Sequence, residues 1–220
     1  MTSSTEGAGL ARLVEVMDRL RSPGGCPWDA EQTHVSLAPY ALEEVHELLE
    51  AIESGSRADL REELGDVLLQ VVFHARVALD HPEDPFGIDD VATAVADKLV
   101  ERHPHVFADA DATTAEQVNA SWERIKKESK GRESVMDGIP AAQPALARAQ
   151  KVISRSARAG LDVRDAAGVG IGPQLLALVA RAQAEGVDAE AELRQATRDY
   201  EAAAREAERA SAAATERSST

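Results

Sequence analysis

The sequence predicts an all-α fold, and three observations carry that expectation. Aromatic residues are only 3% of the 220 residues, too few for a β-sandwich core. Alanine, leucine, glutamate and arginine dominate, and all four are strong helix formers. Apolar residues recur at spacings of three and four through most of the chain, the period of one helix face. A chain of this length has room for one core, or for one core and a smaller second unit.

The first helix spans Leu10 to Arg21, with Leu10, Leu13, Val14, Met17 and Leu20 on one stripe. Ser22-Pro23-Gly24-Gly25 stops it, and Cys26-Pro27-Trp28-Asp29 reads as a loop. A second helix runs from about Leu37 to Ser54, with Val45, Leu48, Leu49 and Ile52 inward and Gly55 at its end. A third runs from about Ala58 to Leu79 and is apolar nearly all round, which predicts burial on most sides. One polar strip interrupts it: Glu63, Asp66, Gln70 and His74, at spacings of three, four and four. Polar groups on a buried helix need partners, because unpaired buried carboxylates are costly.

His81-Pro82 to Gly87 is a turn, and a fourth helix starts at an N-cap on Asp89 or Asp90 and runs to about Arg102. His103-Pro104 breaks it. A fifth helix is expected from Thr114 to about Lys130, capped by Thr113 or Thr114. The polar stretch to Pro144 separates an expected first domain, 1–131, from an alanine-rich second region, with residues 132–144 as linker. That second region, 145–220, predicts helices over Ala145 to Arg158, Leu175 to Ala184 and Ala189 to about Ala210, then a frayed tail.

Within it, Gly172-Pro173-Gln174-Leu175-Leu176-Ala177-Leu178-Val179 resembles Gly65-Asp66-Val67-Leu68-Leu69-Gln70-Val71-Val72 at an offset of 107. In this copy Gly170 stands for Glu63 and Pro173 for Asp66, and Ala141 to Leu161 contains no acidic residue. The second region therefore reads as a truncated, inactive repeat.

Charge narrows the function. The formal net charge is −15, and residues 1–131 hold 26 Asp+Glu against 12 Lys+Arg. Such a field repels nucleic-acid polymers and anionic membranes. A single cysteine, Cys26, excludes an intrachain disulfide and points to a reducing, cytoplasmic setting. Met1 to Glu6 lacks the basic start and apolar stretch of a signal peptide, and no apolar run is long enough to span a bilayer.

The chemistry concentrates in Glu43-Glu44-x-x-Glu47 and Glu63-x-x-Asp66, separated by 15 residues. Each motif places two carboxylates three residues apart, on one side of a helix. A short connection would bring the two helices face to face, and four converging oxygens suit a hard divalent cation such as Mg²⁺. Metal-assisted phosphate chemistry follows, with Glu44, Glu47, Glu63 and Asp66 as ligands and Glu43 as base or outer group. Phosphate charge that the metal leaves uncovered would fall to Lys98, Arg102 and Lys126, with Trp122 placed to stack on a base. Glu43-x-x-His46 has di-iron spacing, but the facing motif is Glu63-x-x-Asp66 rather than a second Glu-x-x-His. Arg102-His103-Pro104-His105 reads as a helix stop rather than a zinc site. The alternative to an enzyme is a non-catalytic acidic helical module that binds a partner.

The chain resembles the MazG family of nucleoside triphosphate pyrophosphohydrolases. The likeness lies in Cys26-Pro27-Trp28-Asp29 through Gln32-Thr33, in Ala38-Pro39-Tyr40 through Glu47, and in Glu62-Glu63-Leu64-Gly65-Asp66. It continues in Asp97-Lys98 through Arg102-His103-Pro104-His105-Val106-Phe107 and in Trp122-Glu123-Arg124-Ile125-Lys126. The resemblance implies an all-α dimer or higher homo-oligomer. It implies hydrolysis of nucleoside triphosphates to monophosphate and pyrophosphate with Mg²⁺, or Mn²⁺ in its place, in cleansing nucleotide pools. It also implies metal ligation by Glu44, Glu47, Glu63 and Asp66, and nucleotide contacts from Lys98, Arg102, Trp122 and Lys126.

Overall fold

In the computed structural model the described residues are 7–108, 114, 117–118, 121–122, 125, 133–161 and 168–218. They form helices and turns only: α1 (Ala8–Arg21), α2 (Pro27–Glu31), α3 (His34–Ser54), α4 (Arg57–Ala78), α5 (Ile88–Arg102), α6 (Pro104–Phe107), α7 (Ala145–Arg158), α8 (Ile171–Ala184) and α9 (Ala189–Ser218). The all-α expectation holds. Among these residues no helix is long and apolar enough to cross a membrane. The chain divides into two units, Met1–Glu123 and Arg124–Thr220.

In the first unit the core is Met17 of α1, Leu37 of α3 and Val72 and Phe73 of α4, flanked by Leu13, Val14, Leu20, Leu69, Val77 and Ile88. These are the inward stripes of four helices, joined where α3 and α4 form the most extensive helix pair among the described residues. Three local differences from the sequence reading have physical causes. The segment after Cys26 is not a loop but the short helix α2, because Pro27 sits at a helix start where its fixed φ is favourable. Helix α3 begins at His34, not Leu37, because Thr33 and Ser36 form a reciprocal cap. Helix α5 begins at Ile88, with the Asp90 carboxylate accepting from the Gly87 N–H at 2.8 Å.

The expected fifth helix lies mostly outside the described residues; Gln117, Val118, Ser121, Trp122 and Ile125 are helical. The Thr114 hydroxyl accepts from the Gln117 N–H at 3.3 Å, as its reading as a cap requires.

The expectation that α4 is buried on most sides holds for one face only. Gln70, Val72, Phe73, Ala75 and Ala78 are buried, while Leu64, Leu68 and Val71 remain exposed.

In the second unit, Gln150 of α7 latches the turn between α8 and α9. Its amide donates to the Val187 carbonyl at 2.7 Å and accepts from the Ala189 N–H at 2.9 Å. Buried Arg155 donates to the carbonyls of Val135 (2.9 Å) and Asp137 (2.7 Å), so part of the polar stretch is tied to α7. Helix α9 continues to Ser218, beyond the Ala210 expected.

Candidate metal centre and nucleotide site

The connection between α3 and α4 is as short as two helices allow. Gly55 closes α3 in the left-handed region at φ 74°, which costs glycine nothing. Ser56 follows at once as the N-cap of α4, its hydroxyl accepting from the Asp59 N–H at 3.3 Å. The chain therefore reverses on the spot, and the acidic faces of the two helices meet. Glu44 of α3 and Glu63 and Asp66 of α4 each present a carboxylate oxygen within 4.8 Å of the others.

The site is electrostatically strained without a cation. The Glu44 carboxyl is held above its ordinary value of 4.5 by partial burial first, then by Asp66, Glu47 and Glu43, with a hydrogen bond from the Gln70 side chain opposing. Glu63 is raised in the same way, by desolvation first and then by Glu47, Asp66, Glu62 and Glu44. Glu63 as a whole is half-buried, yet its Oε2 atom is out of reach of solvent and has no hydrogen-bond partner. A shielded, unpartnered carboxylate oxygen beside two more carboxylates is an unmet demand for positive charge. A divalent cation taken up by oxygen ligands meets it, so the donor set fits a hard metal ion. Glu44, Glu63 and Asp66 are a group that can hold a metal. Glu47 and Glu43 are exposed and stand outside that group of three, although both add to the field on Glu44.

A second cluster forms at the end of α5. Arg102 is buried, its guanidinium carbon lies 5.1 Å from the Trp122 ring centroid, and its Nε has no partner. His103 meets the same ring edge-on at 5.0 Å. Trp122 is thus engaged by a cation and an imidazole from α5 and its C-cap. Lys98 lies one turn before Arg102 on α5 and is exposed. Lys126 lies outside the described residues.

Sequence reasoning missed the residues that hold this scaffold. Arg21 closes α1, which reads only as a favourable charge at a helix C-terminus. In the fold its side chain is 6% exposed and donates to the carbonyls of Asp29 (2.5 Å) and Gln32 (3.1 Å) and to Asp80 (2.9 Å). Its guanidinium also lies 5.7 Å from the Phe73 ring. Trp28 packs edge-on against Tyr40 (6.0 Å) and Phe73 (6.4 Å). The motif around Trp28 and Asp29 therefore braces α1, α3 and α4. No spacing rule could have found these contacts, since the partners are up to 59 residues apart.

Fold and site together define a class: an all-α protein whose antiparallel helix pair carries a carboxylate cluster able to hold a metal ion. The comparisons with known proteins narrow that class. The MazG nucleotide pyrophosphohydrolase domain matches residues 32–107, the stretch from the start of α3 to the end of α6. The chain is 54% identical over 204 residues to an uncharacterized 26.1 kDa protein of Streptomyces cacaoi, covering 92% of this chain and 84% of that one. It is 50% identical over 155 residues to a nucleoside triphosphate pyrophosphohydrolase of Escherichia coli K12 (69% of this chain, 58% of that one). It is 47% identical over 211 residues to one of Mycobacterium tuberculosis H37Rv (96% and 62%). This chain belongs to the MazG family. It spans about three fifths of the length of the last two relatives.

Proposed function

We propose that this chain hydrolyses nucleoside triphosphates to nucleoside monophosphate and pyrophosphate, with Mg²⁺ held by Glu44, Glu63 and Asp66 and completed by Glu47. The observation that carries the reading is the three-carboxylate cluster with its shielded, unpartnered Glu63 oxygen. Family membership and the names of the Escherichia coli and Mycobacterium tuberculosis relatives support the reaction class. Mg²⁺ bound here would polarise phosphate oxygens and acidify a water. The residues of the chain supply the rest. The carboxylates orient the polyphosphate by proxy, and Glu43 stands beside Glu44 as an outer-shell base. Arg102, Lys98 and Lys126 offset phosphate charge, and Trp122 holds the Arg102 guanidinium in place. Water attacks a phosphorus, the α one in this reading, and pyrophosphate leaves.

The active form is a dimer or higher oligomer. Leu64, Leu68 and Val71 on α4 and Leu42, Val45 and Ile52 on α3 are exposed in a single copy. A second copy would remove that apolar surface from water. Cys26 is unpaired, which suits a reducing cytoplasm.

The test is phosphorus NMR of the products from a panel of ribo- and deoxynucleoside triphosphates with Mg²⁺, for the wild-type chain and Glu63→Gln. Expected are pyrophosphate from the wild type and a rate at least about 100-fold lower in the variant, with helicity unchanged by circular dichroism. Orthophosphate as product, or an undiminished Glu63→Gln rate, would sink the assignment.

A further inference from the structure

The acidic faces of α3 and α4 are pinned at two places. One is the turn at Gly55 and Ser56. The other is His34, the first residue of α3, against His74, near the end of α4. Their Nδ1 atoms are 2.8 Å apart, their ring planes differ by 1° and their centroids are 5.1 Å apart. The centroid separation exceeds the N···N distance by two ring radii, so both nitrogens lie on the line between the centroids. Parallel rings placed in this way share one plane and meet edge to edge. That is a straight Nδ1–H···Nδ1 hydrogen bond, not a stack. One ring donates from Nδ1, and the other is the Nε2–H tautomer that accepts.

The carboxylate cluster lies midway between the two pins. Glu44 comes ten residues after His34 and eleven before Gly55, and Asp66 comes ten after Ser56 and eight before His74. Each pin is thus about 15 Å of helix from the acids. The His34 end of α3 is the one that needs support, because Pro39 inside the helix has no N–H for the Val35 carbonyl. The pair is otherwise electrically alone. It lines an apolar groove walled by α3, α4, Phe86 and Val91 of α5, which has no other ionisable side chain among the described residues. The nearest charges along α4, Arg76 and Asp80, are tied up with Asp18 and Arg21 of α1.

Building on the metal-centre reading above, we propose that His34 and His74 are positioning residues: their shared proton holds α3 and α4 at the spacing at which Glu44, Glu63 and Asp66 converge on a divalent cation. A metal site loses affinity when its ligands stand even slightly apart, so an outer support of this kind tunes binding without touching the ion. The bridge also has an acid limit. A first added proton goes to the bare Nε2 of the donor ring and leaves the bridge in place. A second converts both Nδ1 atoms to donors, with no acceptor between them. The burial of His74, and after it the closeness of His34, oppose that second proton.

The experiment is calorimetric titration of the full chain with Mg²⁺ alone, in the wild type, His34→Phe and His34→Asn, at a series of pH values. His34 is exposed, so neither substitution strains the core. Phenylalanine keeps a ring and removes the bridge. Asparagine puts an amide where Nδ1 stood, able to donate to neutral His74 and to accept from its protonated form. Above pH 6.5, the ordinary value for His74, Mg²⁺ is expected to bind His34→Phe about 10-fold more weakly than the wild type, and His34→Asn within about 2-fold of it. As pH falls through the folded value of His74, the wild type should drop to the level of His34→Phe, while His34→Asn stays tighter than both. Protonation of the carboxylates weakens all three alike, so the ratios isolate the bridge. Three outcomes overturn this inference alone: equal affinity of the wild type and His34→Phe above pH 6.5, equal weakening in both variants, or a ratio of wild type to His34→Asn that does not move with pH. Absence of Mg²⁺ binding to the wild type at every pH overturns the metal-centre reading together with it.

Discussion

Helices α4 and α8 carry the same apolar pattern, Gly-x-x-Leu-Leu in one and Gly-Pro-Gln-Leu-Leu in the other, and they differ in what precedes it. Helix α4 is 22 residues long and starts nine residues before Asp66, so Glu63 and Asp66 sit within a formed helix that faces α3. Helix α8 is 14 residues long and starts at Ile171, so Pro173, at the position of Asp66, falls in its first turn. There the missing N–H of proline has no intrahelical acceptor to lose. The comparison teaches that an apolar Leu/Val pattern, buried on one face only in each helix, does not by itself make a site. The carboxylate cluster needs more: a further stretch of helix on one side and an acidic partner helix on the other.

The largest expected effect tests that division directly. Residues 1–131 expressed alone are expected to keep triphosphate hydrolysis, while Asp66→Asn in the full chain lowers it at least about 100-fold, measured as pyrophosphate release. Activity in Asp66→Asn at the wild-type level would place the chemistry elsewhere, with the second unit as the first candidate.

Next in size is the thermodynamic signature of the cluster. Mg²⁺ at about 100 times its dissociation constant is expected to stabilise the folded chain by about 2.7 kcal/mol. Differential scanning calorimetry should show the rise in Tm for the wild type and none for Asp66→Asn. The pH dependence has a defined sign. Glu44 and Glu63 have raised values in the fold, so without metal their contribution favours folding below 4.5 and is lost as pH rises through the raised values. Metal should remove that loss. His74 is lowered below 6.5, by burial first and then by His34. Its contribution is complete above 6.5 and lost as pH falls from there through its folded value. His74→Phe should flatten only this second window in urea titrations.

Ion pairs sharpen the contrast between the units at intermediate size. Arg21→Met leaves two backbone carbonyls without their donor and Asp80 without its largest favourable partner, at an expected cost of about 2–4 kcal/mol. Arg205→Met on α9 breaks an exposed i,i+4 pair with Glu201 and should cost no more than about 0.5 kcal/mol. Chemical denaturation of the two variants compares them directly, and equal costs would show that Arg21 is not a brace.

The smallest effect concerns Gly65 and its counterpart Gly172. A Cβ at either position would meet nothing within 4 Å inside the chain. Gly65→Ala should therefore stabilise an isolated protomer by about 0.5–1 kcal/mol through helix propensity. If a second copy or substrate approaches Gly65, the same substitution weakens assembly or turnover, seen by sedimentation and rate, whereas Gly172→Ala changes neither.

Local rules read much of this molecule directly. The stripes of α1 and α3, the turn at Gly55, the polar strip of α4 and the pairing of Glu44 with Glu63 and Asp66 all follow from periodicity and capping. Each depends on residues a few positions apart, where helix geometry dictates which side chains share a face. Local rules could not see the brace from Arg21 to Asp29, Gln32 and Asp80, the packing of Trp28 on Phe73 and Tyr40, or the pairing of His34 with His74. They placed Glu47 on the same acidic face, and in the fold it is exposed and its charge bears on both Glu44 and Glu63. The sequence by itself determined that this is an all-α chain with two acidic helix faces joined by a tight turn. Only the tertiary structure decided which oxygens converge and which one is shielded. Those outcomes depend on helix rotation and contacts between distant residues, and no local pattern encodes either.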